Sequence, residues 1–379
     1  MAATAKEEAE IEIKQSSQVI ETVAASEEKV PFFRPLSEGR ENTWIVSLFI
    51  VLHLVAFAAT MIVNDCWHNS HAHCALKPLG RLSFQPLSEN PLLGPSASAL
   101  DSMGALRESI LTKHHKTWRL FASPWLHAGV FHLLINLSSV IFVGIHLEQE
   151  SGPLRTGIIY LLSAFSGSLV GALFLRDEPS ITSSGALFGL LGGMLSGLIR
   201  NWKFYSNKFA SLLAILSISV INIVLGLLPY VNNFSNMGGF ISGFLLGFVL
   251  LFSPQFGHMA QSKAGLFDYD VKCSVKLRQK LDRPVLRSSF LVLYSLLIAG
   301  VTVAVFHGIN VNKYCGWCRY IDCIPSKWWS CKDKPVYCET VINTGRLTLT
   351  CIGDDRYRVF PFTDISQERI KDLCNLICS

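Results

Sequence analysis

Four polar side chains capable of chemistry interrupt apolar stretches of this 379-residue chain: His132, Asn136, Ser184 and Asn236. Polar groups within a membrane are costly and usually mark a functional site. Serine and histidine are the residue types of nucleophilic catalysis, whereas an asparagine carboxamide has no titratable lone pair near neutrality and cannot take up a proton. The pattern predicts a polar site inside a helical bundle, with interhelical hydrogen bonding as the structural alternative.

Spacing predicts that these side chains lie close together. His132 and Asn136 are four residues apart, so both project from one face of a helix. Glycine recurs every fourth residue in two other apolar runs, at Gly185, Gly189, Gly193 and Gly197 and at Gly239, Gly243 and Gly247. Such ridges allow helix backbones to approach closely in lipid, which would bring together the two run ends that carry Ser184 and Asn236. Structural packing alone is the simpler explanation of the glycines.

The elements that must position these residues are membrane helices. Half of the chain is hydrophobic and only 16% is charged, below the roughly 25% typical of soluble domains. Seven apolar runs, which lack polar stripes at helical period, approach the roughly 17 to 25 residues that a spanning helix needs. They are Trp44–Val63, Val130–Ile145, Gly157–Leu175, Ser184–Ile199, Leu212–Leu228, Met237–Phe252 and Ser289–Phe306.

Charge distribution predicts the orientation of the bundle. Residues 1–40 contain no apolar signal-peptide region and carry eight acidic against five basic residues, which is typical of a disordered tail. Among the short loops, those rich in basic residues alternate with those whose only basic residue is Arg176, so the basic loops are expected to face the cytosol. This topology accounts for the net charge of +5 without any nucleic-acid partner.

Cysteine placement agrees with that topology. Ten of the 11 cysteines fall on the predicted lumenal side and only Cys273 falls on the cytosolic side, as disulfide chemistry predicts for a secretory-pathway protein. The disulfide candidates are Cys66, Cys74, Cys315, Cys318, Cys323, Cys331, Cys338, Cys351, Cys374 and Cys378. The Cys315-Gly316-Trp317-Cys318 spacing suits zinc, but no second pair follows it, so neither a metal nor a cofactor is expected.

An ordered set of motifs between Trp118 and Phe252 resembles the rhomboid intramembrane serine proteases, in particular the plant RHOMBOID-like proteins. The Cys-rich segment after a seventh helix is similar to that of the plant secretory-pathway members. The motifs are Trp118-Arg119, His127 followed by His132-x-x-x-Asn136, Leu147-Glu148 with Gly152-Pro153-Leu154-Arg155, Ser184-Gly185-Ala186-Leu187-Phe188-Gly189, and Gly238-Gly239.

The resemblance implies the roles of the four polar residues. Ser184 stands at the nucleophile position and His132 with Asn136 at the oxyanion pair. Two departures put turnover in doubt. Thr182 stands where the family has a glycine, adding a branched side chain that is expected to deform the site. Asn236 stands where the family has its base histidine, and Asn232 where an aspartate is often found. The structural positions that the resemblance implies are Trp118, Arg119, Glu148, Gly185, Gly189, Gly239 and Gly243.

The predicted fold is an all-α membrane protein, a rhomboid-like six-helix core with a seventh helix and a small disulfide-rich lumenal domain. Its parts are a disordered cytosolic tail (1–43), a first helix (44–63), a lumenal loop (64–117), the core (118–253), a basic cytosolic loop (254–288), a seventh helix (289–307) and a lumenal domain (308–379).

The leading functional hypothesis is an inactive rhomboid, a pseudoprotease of the Golgi or another endomembrane. It would bind transmembrane client proteins within membrane lipid and regulate their trafficking or processing. One alternative is an active protease that uses Ser184 with an unconventional base, with His127 and His132 the only histidines expected near that depth. A transporter or channel is a third, because polar residues in a bundle can line a pathway.

Overall fold

The computed structural model describes most of the chain between residues 43 and 361. The described residues are 32–33, 43–66, 74–251, 284–331, 338–351, 357–361, 370, 373–374 and 377, apart from gaps at 88, 113–114, 177, 203–204, 325, 327–328, 330 and 344–345. Most of the predicted tail, most of the predicted basic loop with Cys273, the side chain of Cys351 and all of Cys378 lie outside the described residues.

Eleven α-helices occur in the described residues, and seven of them correspond to the predicted membrane runs. The helices are α1 Trp44–Asn64, α2 Ala97–Met103, α3 Glu108–Thr112, α4 Arg119–Ala122, α5 Val130–Ser151, α6 Pro153–Ala172, α7 Ser184–Arg200, α8 Lys208–Leu225, α9 Asn233–Leu250, α10 Pro284–Phe306 and α11 Arg319–Asp322. Six are long and apolar enough to cross a membrane, and α7 is a shorter apolar helix of 17 residues. The predicted helical membrane fold is confirmed.

Glu148 explains why α5 continues beyond its predicted end at Ile145. This buried carboxylate accepts hydrogen bonds from the backbone N–H groups of Ile45 and Val46, both at 3.0 Å. Those groups lie in the first turn of α1, where backbone donors have no partner within the helix and a negative charge is favoured. Glu148 therefore fastens α1 to α5 at one end of the bundle.

Close backbone contacts join α7 and α9 at the centre of the bundle. A Cβ atom built on Gly239 would lie 2.0 Å from the Gly185 carbonyl oxygen, and one on Gly243 would lie 1.9 Å from that of Gly189. No larger side chain fits either position without movement of the backbone. The predicted ridge is not uniform, because a Cβ on Gly197 would meet nothing within 4 Å. α7 is buried along most of its length, which allows this short helix to stay apolar inside protein rather than in lipid.

Trp118 and Arg119 brace the long loop before α5. The Arg119 guanidinium donates to the backbone carbonyl of Ala105 and, at 2.7 Å, to that of Asp101. The half-exposed Trp118 ring fills the space beside Gly104, whose φ of +110° places it in the region that favours glycine. These contacts therefore fix the conformation of the loop.

Part of the predicted disordered tail is packed. Phe32 is buried against Tyr205 and His146, and its backbone N–H donates to Asn207 Oδ1 at 2.7 Å. Two adjacent aromatic residues supply enough apolar area to hold this point of the segment, which the acidic composition of residues 1–40 did not indicate.

The chain divides into two compact units after Cys331, so the segment predicted to be lumenal from residue 308 contributes its first part to the larger unit. Residues just after α10 belong to the bundle because Val311 donates its backbone N–H to the Leu173 carbonyl and Asn310 donates to that of Leu175. Disulfides in this unit join Cys66 to Cys74, Cys315 to Cys318 and Cys323 to Cys331.

The second unit begins at Lys332 and contains an antiparallel sheet in the order β1-β2-β3. The strands are β1 Cys338–Asn343, β2 Arg346–Cys351 and β3 Tyr357–Phe360. Leu347 and Leu349 point to one side of β2 and are buried, as the two-residue repeat of a strand requires. A disulfide joins Cys338 to Cys374 in this unit.

Candidate functional site

A backbone bridge places the starts of α7 and α9 at one depth. Ile181 donates its N–H to the Tyr230 carbonyl at 2.8 Å, and Asn232 donates its N–H to the Ile181 carbonyl at 3.1 Å. The segments that lead into the two helices therefore run side by side as a short parallel pair. Ser184 and Asn236 consequently lie in the first turns of neighbouring helices.

Ser184 is buried and receives both polar side chains of α5. His132 Nε2 lies 2.8 Å from Ser184 Oγ, and Asn136 Nδ2 donates to the same oxygen at 3.0 Å. The Ala128 backbone N–H points at His132 Nδ1, at 3.5 Å, so a neutral ring carries its proton on Nε2. His132 and Asn136 thus both present N–H donors to Ser184, which suits stabilisation of an oxyanion and not removal of a proton.

The Asn236 side chain is hydrogen-bonded within its own helix, α9. Its side-chain N–H group donates to Asn233 Oδ1 at 2.8 Å, and among the described residues Ser184 is not one of its hydrogen-bond partners. Asn232 caps α9, because its side-chain oxygen accepts from the Ser235 N–H at 2.9 Å and satisfies a free donor of the first turn. The first turn of α9 is therefore an asparagine network that contains no titratable base.

Asp322 extends this hydrogen-bond network. It was not among the site residues predicted from the sequence. Asp322 Oδ1 accepts the Asn233 backbone N–H at 2.8 Å, and the neighbouring Ile321 carbonyl accepts from the Asn233 side chain at 2.7 Å. Burial raises the pKa of the Asp322 carboxyl to about 7, although Arg176 and two backbone N–H groups oppose the rise. No local pattern in the sequence indicates this contact, which joins residues 89 positions apart.

Thr182 is buried and hydrogen-bonded to neighbouring elements. Its hydroxyl lies 2.7 Å from Ser168 Oγ and donates to Ser123 Oγ at 3.1 Å, and the side chain is buried. Its carbonyl accepts from the Ser235 hydroxyl at 3.2 Å, which links the turn before α7 to α9. The branched side chain fits here because two serines supply polar partners that a glycine would not need.

A row of aromatic and imidazole rings leads away from Ser184. The His127 ring lies 5.2 Å from that of His132 and 5.0 Å from that of His53, whose Nε2 contacts the Tyr160 hydroxyl. Burial lowers the pKa of His127 well below its usual range, and the two neighbouring histidines lower it further. His53 and Tyr160 were not predicted to belong to the site. The presence of a histidine within the first apolar run was the sequence feature that could have indicated His53.

Several buried polar atoms around the site are unpaired among the described residues. They include Asn136 Oδ1, Ser183 Oγ, Asn236 Oδ1 and both ring nitrogens of His127. Buried polar atoms without partners are rare and often accompany a functional site. The arrangement can donate hydrogen bonds to a carbonyl or hydroxyl placed near Ser184. The described residues contain no group of three or more histidine, cysteine or acidic side chains suited to a metal ion.

The helical core is similar to a known family of membrane proteins. A family model of the Rhomboid domain matches residues 114–253. Inactive RHOMBOID-like protein 8 of Arabidopsis thaliana is 53% identical over 83% of this chain and 90% of its own length. RHOMBOID-like protein 1 of the same plant is 47% identical over 88% of this chain and 85% of its own. Inactive rhomboid protein 1 of Danio rerio is 32% identical over 55% of this chain and 22% of its own length.

Proposed function

Because this chain belongs to the rhomboid family, we propose that it is a pseudoprotease that binds transmembrane client proteins and regulates their trafficking or processing. The observation that carries this proposal is the state of Ser184. Two N–H donors surround its hydroxyl oxygen, while Asn236, at the position of the family's base, is bonded to Asn233. Two of the matched relatives are themselves named inactive.

The cost of losing the base is large. General base catalysis contributes about 100- to 10,000-fold to a reaction rate, and an asparagine cannot provide it. A scaffold for transmembrane segments requires packed helices and a polar pocket but no base. Loss of catalysis is therefore compatible with retained binding, and the preserved donors His132 and Asn136 offer hydrogen bonds to an unwound client segment.

The first experiment restores the base. Asn236→His would place an imidazole beside Asn233 Oδ1, which can accept the Nδ1–H and leave Nε2 free to accept a proton. We expect the reconstituted wild type not to cleave a transmembrane substrate with a destabilised helix. The Asn236→His variant should gain cleavage of at least about 100-fold over background, and the added change Ser184→Ala should abolish it. Ser184-dependent cleavage by the wild type would contradict the proposal.

The second experiment tests client binding near the site. Met237, next to Asn236, is 51% exposed on α9, whereas Val285 is 79% exposed at the start of α10. α9 begins at the end of the bundle that carries Ser184, and the Arg287 side chain beside Val285 contacts the Val249 carbonyl at the other end. A photoreactive residue at position 237 should capture single-span clients, and one at position 285 should not. Equal capture at both positions would indicate non-specific contact.

One observation favours the alternative of an active protease. His132 Nε2 lies 2.8 Å from Ser184 Oγ, within reach for proton transfer. In this role the ring would need the opposite tautomer, with Nδ1–H facing the Ala128 N–H, two donors in opposition. A fluorophosphonate probe separates the two functions. Labelling of the wild type that disappears in both Ser184→Ala and His132→Gln would establish the active protease, and absence of labelling agrees with the pseudoprotease.

A further inference from the structure

The segment after α10 contains a disulfide between two cysteines that are only three positions apart, Cys315 and Cys318. The other described disulfides span eight, eight and 36 residues. Stabilisation by a cross-link grows with the length of the loop that it closes, because a longer loop loses more freedom in the unfolded chain. Of the four described disulfides, Cys315–Cys318 is therefore expected to stabilise the fold least.

Access to the two sulfur-bearing residues is unequal. Cys318 is 2% exposed, whereas Cys315 is half-buried. Gly316 between them is exposed and has no side chain, and the neighbouring rings of Tyr314 and Trp317 are 86% and 67% exposed, so most of their surface is not packed against protein. Cys315 is therefore the more exposed of the two cysteines, and its sulfur is the one that we expect an incoming thiolate to attack.

The neighbouring disulfide of the same unit provides a contrast. Cys323 and Cys331 are 4% and 7% exposed, and their bond closes a longer loop. Thiol–disulfide exchange requires in-line access to one sulfur and is favoured in Cys-x-x-Cys segments, where the second thiol is held close enough to close the ring again. Only the Cys315–Cys318 bond in the described part of the bundle unit combines these features.

We propose that Cys315–Cys318 is a redox-active disulfide that exchanges with thiols of the surrounding compartment. A thiolate attacks Cys315 Sγ, the bond to Cys318 breaks, and Cys318 leaves as a thiolate that takes a proton from water. The resulting mixed disulfide is resolved when a second thiolate attacks the sulfur of the incoming reagent. Cys315 is then released as a thiolate, the chain gains two electrons and the reagent becomes a disulfide. A dithiol or two monothiol molecules supply those electrons.

The test is differential reduction of the intact protein in lipid nanodiscs. Samples are exposed to a graded glutathione buffer or to a thioredoxin-type dithiol protein, quenched with acid, alkylated and quantified by mass spectrometry for each cysteine pair. We expect Cys315–Cys318 to be reduced at least 10-fold faster than Cys323–Cys331. Faster reduction by the dithiol protein than by glutathione would identify a protein as the better source of thiolate, and the reverse would identify a small thiol. Equal or slower reduction of Cys315–Cys318 with both reagents would overturn the proposal.

Two variants test the direction of attack. Cys318→Ser leaves the accessible Cys315 as a free thiol, which should form a mixed disulfide with oxidised glutathione. Cys315→Ser leaves the buried Cys318, which should react at least 10-fold more slowly. Equal reactivity of the two variants would contradict the proposal that the Cys315 sulfur is the one attacked. The kinetics of the unmodified protein decide the proposal even if a variant fails to fold.

Discussion

At the scale of single residues, an asparagine determines what this site can do. Ser184, His132 and Asn136 are in contact, because both α5 side chains reach the Ser184 hydroxyl oxygen. Asn236 contributes a carboxamide that bonds within its own helix turn, to Asn233. Ser184 therefore receives polar groups from α5, while Asn236 on α9 is hydrogen-bonded to Asn233 and is not titratable.

Substitutions at Thr182 test how much its hydroxyl stabilises the turn before α7. Thr182→Val removes the hydroxyl that pairs with Ser168 and Ser123 while it keeps the branched shape. We expect a loss of about 1 to 3 kcal/mol in stability, because buried serine hydroxyls lose a partner. Unfolding in mixed detergent micelles measures the change. Thr182→Ser retains the hydroxyl and serves as the control, so equal losses in the two variants would show that the hydroxyl contributes nothing.

At the scale of elements, glycine contacts between α7 and α9 fix the register of the site. Gly239 faces the backbone of Gly185, immediately after Ser184, and Gly243 faces Gly189 one turn later. The glycines therefore set the depth at which the first turns of the two helices meet.

Alanine substitutions should change stability by different amounts at glycines that look equivalent in the sequence repeat. Gly239→Ala and Gly243→Ala push a methyl group into a carbonyl at 2.0 Å and 1.9 Å, so each should destabilise the bundle by about 1 to 3 kcal/mol or more. Gly197→Ala has free space and should be neutral or stabilise α7 by up to about 1 kcal/mol. Thermal unfolding in detergent is the measurement, and equal effects at all three positions would contradict the packing.

The contact between α11 and α9 predicts a pH dependence. Burial raises the pKa of Asp322 to about 7 from 3.8, so the folded state binds a proton that the unfolded state releases. This contribution to stability is complete below about pH 4 and is lost as the pH rises towards 7, by up to about 4 kcal/mol. Arg176 and Glu178, which line the adjoining cavity with Asp322, also contribute charge there.

Asp322→Asn isolates this effect. The amide oxygen can still accept the Asn233 N–H, but the side chain no longer titrates. The wild type should lose stability between about pH 4 and pH 7 in unfolding experiments at graded pH, and the variant should not. A variant with an unchanged pH profile would place the titration on another group.

At the scale of the whole molecule, several features lie at one end of the bundle. Ser184 starts α7, Asp322 contacts the start of α9, and Asn312 donates to the Phe174 carbonyl just beyond the end of α6. The polar site and the segment with Cys315 therefore belong to the same side of the membrane.

The orientation predicted from basic loops and cysteines can be measured. In sealed microsomes, added protease should remove an N-terminal tag and leave a C-terminal tag intact until detergent opens the vesicles. The physical reason is that basic loops are retained in the cytosol and disulfides form in the oxidising lumen. Vesicles whose marker enzyme stays protected provide the control. Loss of the C-terminal tag from sealed vesicles would reverse the topology and place Cys315 in a reducing compartment.

The sequence by itself determined the membrane helices and the polar positions on them. Runs of about 20 apolar residues are a local property, and a spacing of four residues places His132 and Asn136 on one helix face. Helix ends were less accurate, because α5 is extended by contacts of Glu148 with a distant helix and α9 begins at a cap that Asn232 provides.

Only the tertiary structure decided the partners of those positions. Asn236 bonds to Asn233 and not to Ser184, and the Asn233 backbone bonds to Asp322. The Thr182 hydroxyl pairs with Ser168. These contacts depend on how side chains from different elements are arranged. The pairing of cysteines was undetermined for the same reason. Such contacts join residues far apart in the chain, and their geometry follows from how closely glycine lets α7 and α9 approach, which no local pattern encodes.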